Sequence, residues 1–332
     1  CKIADAAVET FRQGSVDLFM DCPSRERAGW LCDSFFSGRT EYLLCGETLV
    51  EHDFLENFLC EESYVNIPDG MIPMCYPADH TPNSSIPNWA MWLFLELREY
   101  LDRSGDRELA ERFRAKALGL LKYFSRFENS DGLLENLESW VFVEWSRAND
   151  LTDGVNYPSN MLYSAMLSAI SKLYNLPELS VKAEKIRETV YCQSFDGKFF
   201  RDHAVRENGI LKAKPDATEV CQYYAFFFGV ASPERDGELL ETLLHKFGPE
   251  RNRNTDYPEI APANAFIGNY LRLEILMRAG FKEEALKNIV GFFGYMANRT
   301  GTLWENIDTG ASCNHCFASY VICWLEKLKD SI

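Results

Sequence analysis

The chain has 332 residues, 46% of them hydrophobic, enough to bury a large core in one big domain or two ordinary ones, so disorder is excluded. Its 34 basic and 50 acidic residues leave a net charge of −16, which disfavours phosphate backbones and anionic lipid; no nucleic acid partner is expected, and a neutral ligand is. Aromatic residues reach 14%, with seven Trp, and flat rings with polar edges suit the faces of sugars, although core packing claims most aromatics in any domain.

Apolar positions recur at helical spacing, as in the stripes Leu109, Phe113, Ala117, Leu120, Phe124 and Phe317, Val321, Trp324, Leu328. In chain order the pattern predicts helices over 3–18, 38–60, 86–103, 106–127, 158–174, 178–191, 217–230, 235–247, 261–279, 281–297 and 313–329. Turn signals at Asn129 to Gly132, Asp153-Gly154 and Asp196-Gly197 punctuate them, the last inside an aromatic stretch (Phe195, Phe199, Phe200) that suits a short hairpin. Close to twelve helices with longer loops at alternate junctions predict an all-α (α/α)6 barrel, a six-hairpin toroid with one or two short hairpins in its loops. Stacked repeats are the plainer alternative, but no period of 34 or 40 residues supports them.

No Pro/Ser-rich linker divides the chain, which reads as a single domain over 1–332. No apolar run approaches the roughly 20 residues of a membrane span, so no membrane insertion is expected. The start at Cys1 without Met reads as a domain cut from a longer protein. Eleven cysteines are scattered through apolar helical patterns, such as Cys45, Cys221 and Cys323, and most are expected to be reduced and buried.

Two segments carry chemistry. The first, Asp21-Cys22-Pro23-Ser24-Arg25-Glu26-Arg27-Ala28-Gly29-Trp30-Leu31-Cys32-Asp33, crowds charges around a Pro, a Gly and a Trp. Pro23 disfavours helix before it and Gly29 permits close approach, so an ordered loop between the first two helices is expected. Three carboxylates beside Arg side chains can hold one carboxyl protonated and the others ionised, as acid catalysis requires; a solvated salt-bridge cluster is the plain alternative. The second runs Gly301 to Asp308 through Trp304-Glu305, then Ser312 to Cys316. A carboxylate beside an aromatic wall suits a base poised over a sugar, against an ordinary helix-terminal acid. Cys313, His315 and Cys316 have no second pair at finger-like spacing, so no metal is expected. Of two further aromatic clusters, Trp89 to Trp92 and Trp140 to Trp145, most is core, with Trp145 beside Glu144 the better sugar contact. Asp69, Asp79, Asp216 and Glu259 are expected at the surface.

The stretch from Asp21 to Asp33 resembles the signature loop of the bacterial α-L-rhamnosidase family, and Trp304-Glu305 followed by Asn314-His315 resembles that family's C-terminal signature, in the same order and nearly a chain length apart. The resemblance implies an inverting (α/α)6 glycoside hydrolase domain, normally joined to β-sandwich modules in one parent chain, with no cofactor. It implies that Glu26 is the general acid, Glu305 the general base, and Asp21, Arg25, Trp30, Asp33 and His315 sugar contacts, with Glu144 and Trp145 matching a Gly-Asp-Trp segment. It leaves the compartment open between cytoplasm, periplasm and the cell exterior. Two departures bear on the bound sugar: Leu31-Cys32 stands where many relatives have a small hydroxyl residue and Gly, and Glu144 stands where Asp is usual. The alternatives left open are a same-fold hydrolase for another sugar, a polysaccharide lyase, which the acidic loop disfavours, and a non-catalytic sugar-binding relative.

Overall fold

The computed structural model describes residues 1–76, 84–251, 256–307 and 310–329; Asp79 lies outside them. Among these residues the helices are α1 Lys2–Gly14, α2 Asp33–Cys45, α3 Leu49–Asn57, α4 Pro87–Ser104, α5 Arg107–Arg112, α6 Arg114–Ser125, α7 Tyr157–Tyr174, α8 Pro177–Ser194, α9 Glu219–Phe227, α10 Gly237–Lys246, α11 Tyr270–Arg278, α12 Lys282–Thr300 and α13 Val321–Leu328. The strands are short: β1 Gly29–Trp30, β2 Cys75–Tyr76, β3 Val155–Asn156, β4 His203–Glu207, β5 Ile210–Ala213, β6 Ala217–Thr218 and β7 Ile260–Ala261. Only Phe113, itself in the helical region, separates α5 from α6. With those two taken as one interrupted helix, short connections (46–48, 105–106, 175–176, 228–236, 279–281) alternate with long ones (15–32, 58–86, 126–156, 195–218, 247–269, 301–320) along the chain.

Local chemistry places the helix ends. Pro87 and Pro177 open α4 and α8, where a missing N–H costs nothing. Asp106 and Thr218 cap α5 and α9 through side-chain acceptors for the N–H groups of Leu109 and Cys221. Gly46 and Gly105 end α2 and α4 in the left-handed conformation.

Inter-residue contacts divide the chain into two compact units. The first comprises Cys1–Tyr123, Lys172–Asn175 and Ile289–Ile332; the second comprises Phe124–Ser171 and Leu176–Asn288. In the first, α1 buries one stripe (Ile3, Ala6, Ala7, Thr10, Phe11, Gly14), whereas α2 is buried without a break from Asp33 to Gly38. A helix whose first six residues are all buried positions whatever stands at its start. Around it Phe36 meets Trp92, Phe317 and Tyr320, with ring centroids 5.5 to 6.3 Å apart. In the second unit, β3, β4 and β5 form an antiparallel sheet and β6 pairs with β7 in parallel.

Several expectations shift. The helix expected over 38–60 is two, starting earlier at Asp33 and broken at Gly46, because a polar 46–48 segment cannot extend the buried pattern. The one expected over 261–279 begins as regular helix only at Tyr270, after Pro262. That expected over 313–329 opens with a 3-10 turn, Cys316–Tyr320, before α13. The aromatic hairpin is a single bridge, Phe195 to Phe200. The fuller hairpin is β4–β5, closed by Asn208-Gly209 with both residues at positive φ. All eleven cysteines are free thiols, but Cys45 is exposed, as are Cys1, Cys60 and Cys192; the apolar run around Cys45 ends on an open helix face.

Candidate active site

The long loops at 15–32 and 301–315 belong to the first unit and are laced together. Asp21 closes its own loop: its N–H donates to the Ala28 carbonyl at 2.8 Å, and its Oδ1 accepts the Ala28 N–H at 3.1 Å. The Asp21 carbonyl then accepts the Cys316 N–H at 2.9 Å, which joins the two loops. Gly29 lies so close to the Phe54 ring and the Tyr76 carbonyl that an added Cβ would meet them at 2.8 and 3.2 Å, the close approach its sequence context called for. The second loop folds on itself: the Glu305 N–H donates to the Ser312 carbonyl at 3.0 Å, the Ser312 N–H to Glu305 Oε2 at 3.2 Å, and the His315 N–H to the Leu303 carbonyl at 2.9 Å.

These contacts bring seven of the nine candidate residues into one cluster. A single nitrogen of Arg25, Nη2, stands 3.2 Å from Glu26 Oε1 and 3.3 Å from Glu305 Oε2. That shared nitrogen keeps the two oxygens within roughly 6.5 Å of each other, close enough for both carboxyl groups to flank one sugar. Burial opposes the Arg25 charge, yet the Glu26 and Glu305 carboxylates outweigh it and raise the guanidinium's pKa. Glu26 is exposed, and its Oε2 accepts the Trp30 indole N–H at 2.9 Å; Glu305, in contrast, is buried.

Behind this pair Asp33, the first residue of α2, binds the Nε2 of His315 through its Oδ1 at 2.8 Å, and the imidazole Nδ1 faces Glu305 Oε2 at 3.9 Å. Burial pushes the Asp33 carboxyl up, the His315 contact pulls it down, and the Asp21 and Glu305 charges push it up again, to about 6. For His315 burial works against the charged form, but Asp33 and the other two carboxylates prevail and raise its pKa. Asp33 and His315 therefore form a buried pair in which each favours the charged form of the other. The pairing itself was not legible in the sequence.

Trp304 departs from expectation: its indole is fully buried, donates to the Thr300 hydroxyl at 2.8 Å and packs on Tyr295, so it anchors the loop and is no wall for a ligand. Burial pushes the Cys316 thiol up to about 12, and His315 Nε2 is engaged by Asp33, so neither is poised to ligate a metal. Among the described residues, His52, Asp53 and Glu56 on α3 are the one set spaced for an ion, with Asp53 exposed and the other two half-buried.

Glu144 and Trp145 belong to the second unit. Glu144 is fully buried and its Oε1 accepts the N–H groups of Asn264 and Gly268 at 3.0 and 2.8 Å. Burial raises its pKa to about 8, against hydrogen bonds from Ser146, Gly268 and Asn264 that favour the ionised form, and the carboxyl holds the 264–268 backbone. Trp145, 43% exposed, stacks edge-on with Phe142 and tilts against Trp140. Asp69 and Glu259 are exposed as expected, while Asp216 is half-buried, 3.5 Å from His203 Nε2.

No curated protein matches the chain by sequence. Solved structures do. A GH78 family rhamnosidase of Bacillus sp. GL1 superposes on all of the chain with a TM-score of 0.81 at 21% identity, and the chain spans 34% of that enzyme. A rhamnosidase from Klebsiella oxytoca, solved with rhamnose bound, superposes on 99% with a TM-score of 0.75 at 18% identity, the chain spanning 63% of it. A GH63 mannosylglycerate hydrolase from Thermus thermophilus superposes on 98% with a TM-score of 0.69 at 13% identity, and there the chain spans the whole protein. These likenesses establish the all-α six-hairpin fold. The model of the bacterial alpha-L-rhamnosidase six-hairpin glycosidase domain matches residues 2–328, and the chain belongs to that family of glycoside hydrolases.

Proposed function

We propose that this domain catalyses inverting, exo-acting hydrolysis of terminal α-L-rhamnose from glycosides or oligosaccharides. The observation that carries this reading is the Arg25 bridge, which brings two carboxylates 279 positions apart in sequence close enough to flank one glycosidic bond. Glu26, the solvent-accessible member, gives its proton to the glycosidic oxygen as the bond to the anomeric carbon breaks. Glu305, the buried member, takes a proton from the water whose oxygen forms the new bond on the opposite face. One water is consumed, Glu26 ends ionised and Glu305 protonated, and exchange with solvent resets both. Trp30 fixes Glu26 by its indole N–H, and the Ser312 N–H fixes Glu305.

Asp21, Arg25, Asp33 and His315 are proposed to meet the sugar hydroxyls, and Trp30 its apolar face. Trp145→Ala tests whether the second unit also touches sugar. No cofactor enters this scheme, and further modules of a parent chain, such as β-sandwiches, are proposed from the 34% share spanned in the Bacillus enzyme. The Thermus enzyme has the same fold with mannosylglycerate in its name, so the sugar is the point to test. The experiment is hydrolysis of p-nitrophenyl α-L-rhamnoside and of mannosylglycerate side by side: release from the rhamnoside alone is expected, and cleavage of mannosylglycerate alone would replace the substrate while keeping the hydrolase.

A further inference from the structure

Glu41 of α2, Glu51 of α3 and Glu96 and Glu99 of α4 gather around Arg39 and Arg103 in the first unit, and the hydrolytic scheme uses none of them. Arg39 holds Glu99 through two nitrogens at 2.5 and 2.6 Å, while Arg103 reaches Glu99 at 3.2 Å and Glu51 at 2.5 Å. Glu41 caps the start of α3, accepting the N–H groups of Val50 and Glu51 at 2.8 and 2.9 Å. Gly38 lets α2 lie against this group, since an added Cβ there would overlap the Glu51 carboxyl.

Glu96 differs from the others. It is wholly buried, and among the described residues no cation forms an ion pair with it. Its Oε2 accepts the Ser34 hydroxyl at 2.5 Å, and its Oε1 has no hydrogen-bond partner. Glu51 Oε2 is bare in the same way, although Glu51 Oε1 takes Arg103. An ionised carboxylate held by one hydroxyl is costly in so dry a place. Burial pushes the Glu96 carboxyl well up, and of the surrounding charges that of Glu51 acts most strongly in the same direction. Cys32 before α2 and Glu99 of α4 face it too, and Arg103 is the opposing cation.

We propose that Glu96 is a positioning residue for the hydrolysis, a neutral carboxylic acid that donates its proton to Glu51, accepts the Ser34 hydroxyl and so holds the first turn of α2. One proton on Glu96 Oε1 supplies both bare oxygens with a partner and leaves Oε2 as the acceptor for Ser34. Asp33 directly precedes Ser34, so this chain fixes the carboxylate that meets His315, whose ring faces Glu305. The inference rests on the reading of Glu305 as the base. Glu96 touches no substrate; it acts through Asp33 and His315.

The test compares Glu96→Gln, Glu96→Leu and Ser34→Ala on p-nitrophenyl α-L-rhamnoside, with the folding of each checked by urea melts. A Gln amide accepts from Ser34 and donates to Glu51 as the neutral acid does, so Glu96→Gln should keep kcat within about twofold of wild type. Glu96→Leu should lower kcat by about tenfold or more and Ser34→Ala by about threefold, with KM nearly unchanged. The infrared difference between wild type and Glu96→Gln at neutral pH should contain the carbonyl stretch of a protonated carboxylic acid. The His315 ring resonances should shift in Glu96→Leu and Ser34→Ala and stay in place in Glu96→Gln. Absence of the carboxylic-acid band, or a Glu96→Gln protein as impaired as Glu96→Leu, would overturn the neutral acid. Wild-type kcat in folded Ser34→Ala and Glu96→Leu would overturn the positioning, and Ser34→Ala decides alone if Glu96→Leu does not fold. A wild-type protein that hydrolyses no glycoside would overturn the catalytic reading instead; unmoved His315 resonances in Ser34→Ala would then overturn the hold of Glu96 on Asp33, and shifted ones would uphold it.

Discussion

Cys32 offers a sharp test of the backbone at the site. It precedes α2 with φ 75° and ψ −47°, a combination that L side chains rarely adopt, and its side chain is fully buried. Such a conformation costs on the order of 1–3 kcal/mol. The next residue is Asp33, so the strain sets the direction in which that carboxylate meets His315. Replacing Cys32 by Ala or by Gly removes the thiol in both cases, and their difference isolates the Cβ. At an ordinary position Gly is less stable than Ala by roughly 0.5–1 kcal/mol through unfolded-chain entropy. Here relief of the Cβ should outweigh that, leaving Cys32→Gly more stable than Cys32→Ala by about 1 kcal/mol. The assay is urea unfolding of the two variants at one pH, read as midpoints with equal slopes. Cys32→Ala equal to or more stable than Cys32→Gly would refute the strain at this position.

Other perturbations follow from the same geometry. Glu26→Gln should lower kcat/KM on methyl glycosides by about 10²–10⁴ while sparing aryl glycosides with good leaving groups, and equal losses on both would remove Glu26 from the acid role. His315→Gln strips Asp33 of the contact that pulls its carboxyl down to about 6, leaving a buried carboxyl without its partner, so the variant should have a lower urea midpoint than the wild type at pH 7, and equal midpoints would refute the pairing. Glu144, with a folded pKa of about 8 against an unfolded value near 4.5, binds a proton that the unfolded chain releases, so wild-type stability should fall as pH rises between those values and level off above. Glu144→Gln keeps an acceptor for Asn264 and Gly268 and should flatten that dependence; an unchanged profile in urea melts from pH 5 to 9 would show that another group sets it. A metal chelator should leave hydrolysis unchanged, since Cys316 is protonated and His315 is engaged.

The sequence made much of this legible because its clearest signals are local. Helical periodicity and turn glycines located the helices, and the crowding of charge around Pro23, Gly29 and Trp30 marked the loop whose ion pairs reach Glu305. What escaped were relations between distant segments. No spacing rule connects Asp33 with His315, or Trp30 with Cys75, since both pairings arise only when loops from different helix pairs close on each other. Trp304 misled for a related reason: an aromatic next to a carboxylate in sequence can face the other way, here into the core at Thr300. The hairpin at Asn208-Gly209 lies between the helices expected over 178–191 and 217–230, where the aromatic stretch at 195–200 drew the hairpin expectation away from its Asn-Gly turn.

The central claim is that Glu26 and Glu305 act on opposite faces of one sugar, with water delivered by Glu305. Proton NMR of the anomer first released from p-nitrophenyl α-L-rhamnoside tests it most directly. The account predicts the β anomer as first product with the wild-type protein, and no hydrolysis with Glu305→Gln. Release of the α anomer, or full activity in Glu305→Gln, would contradict it.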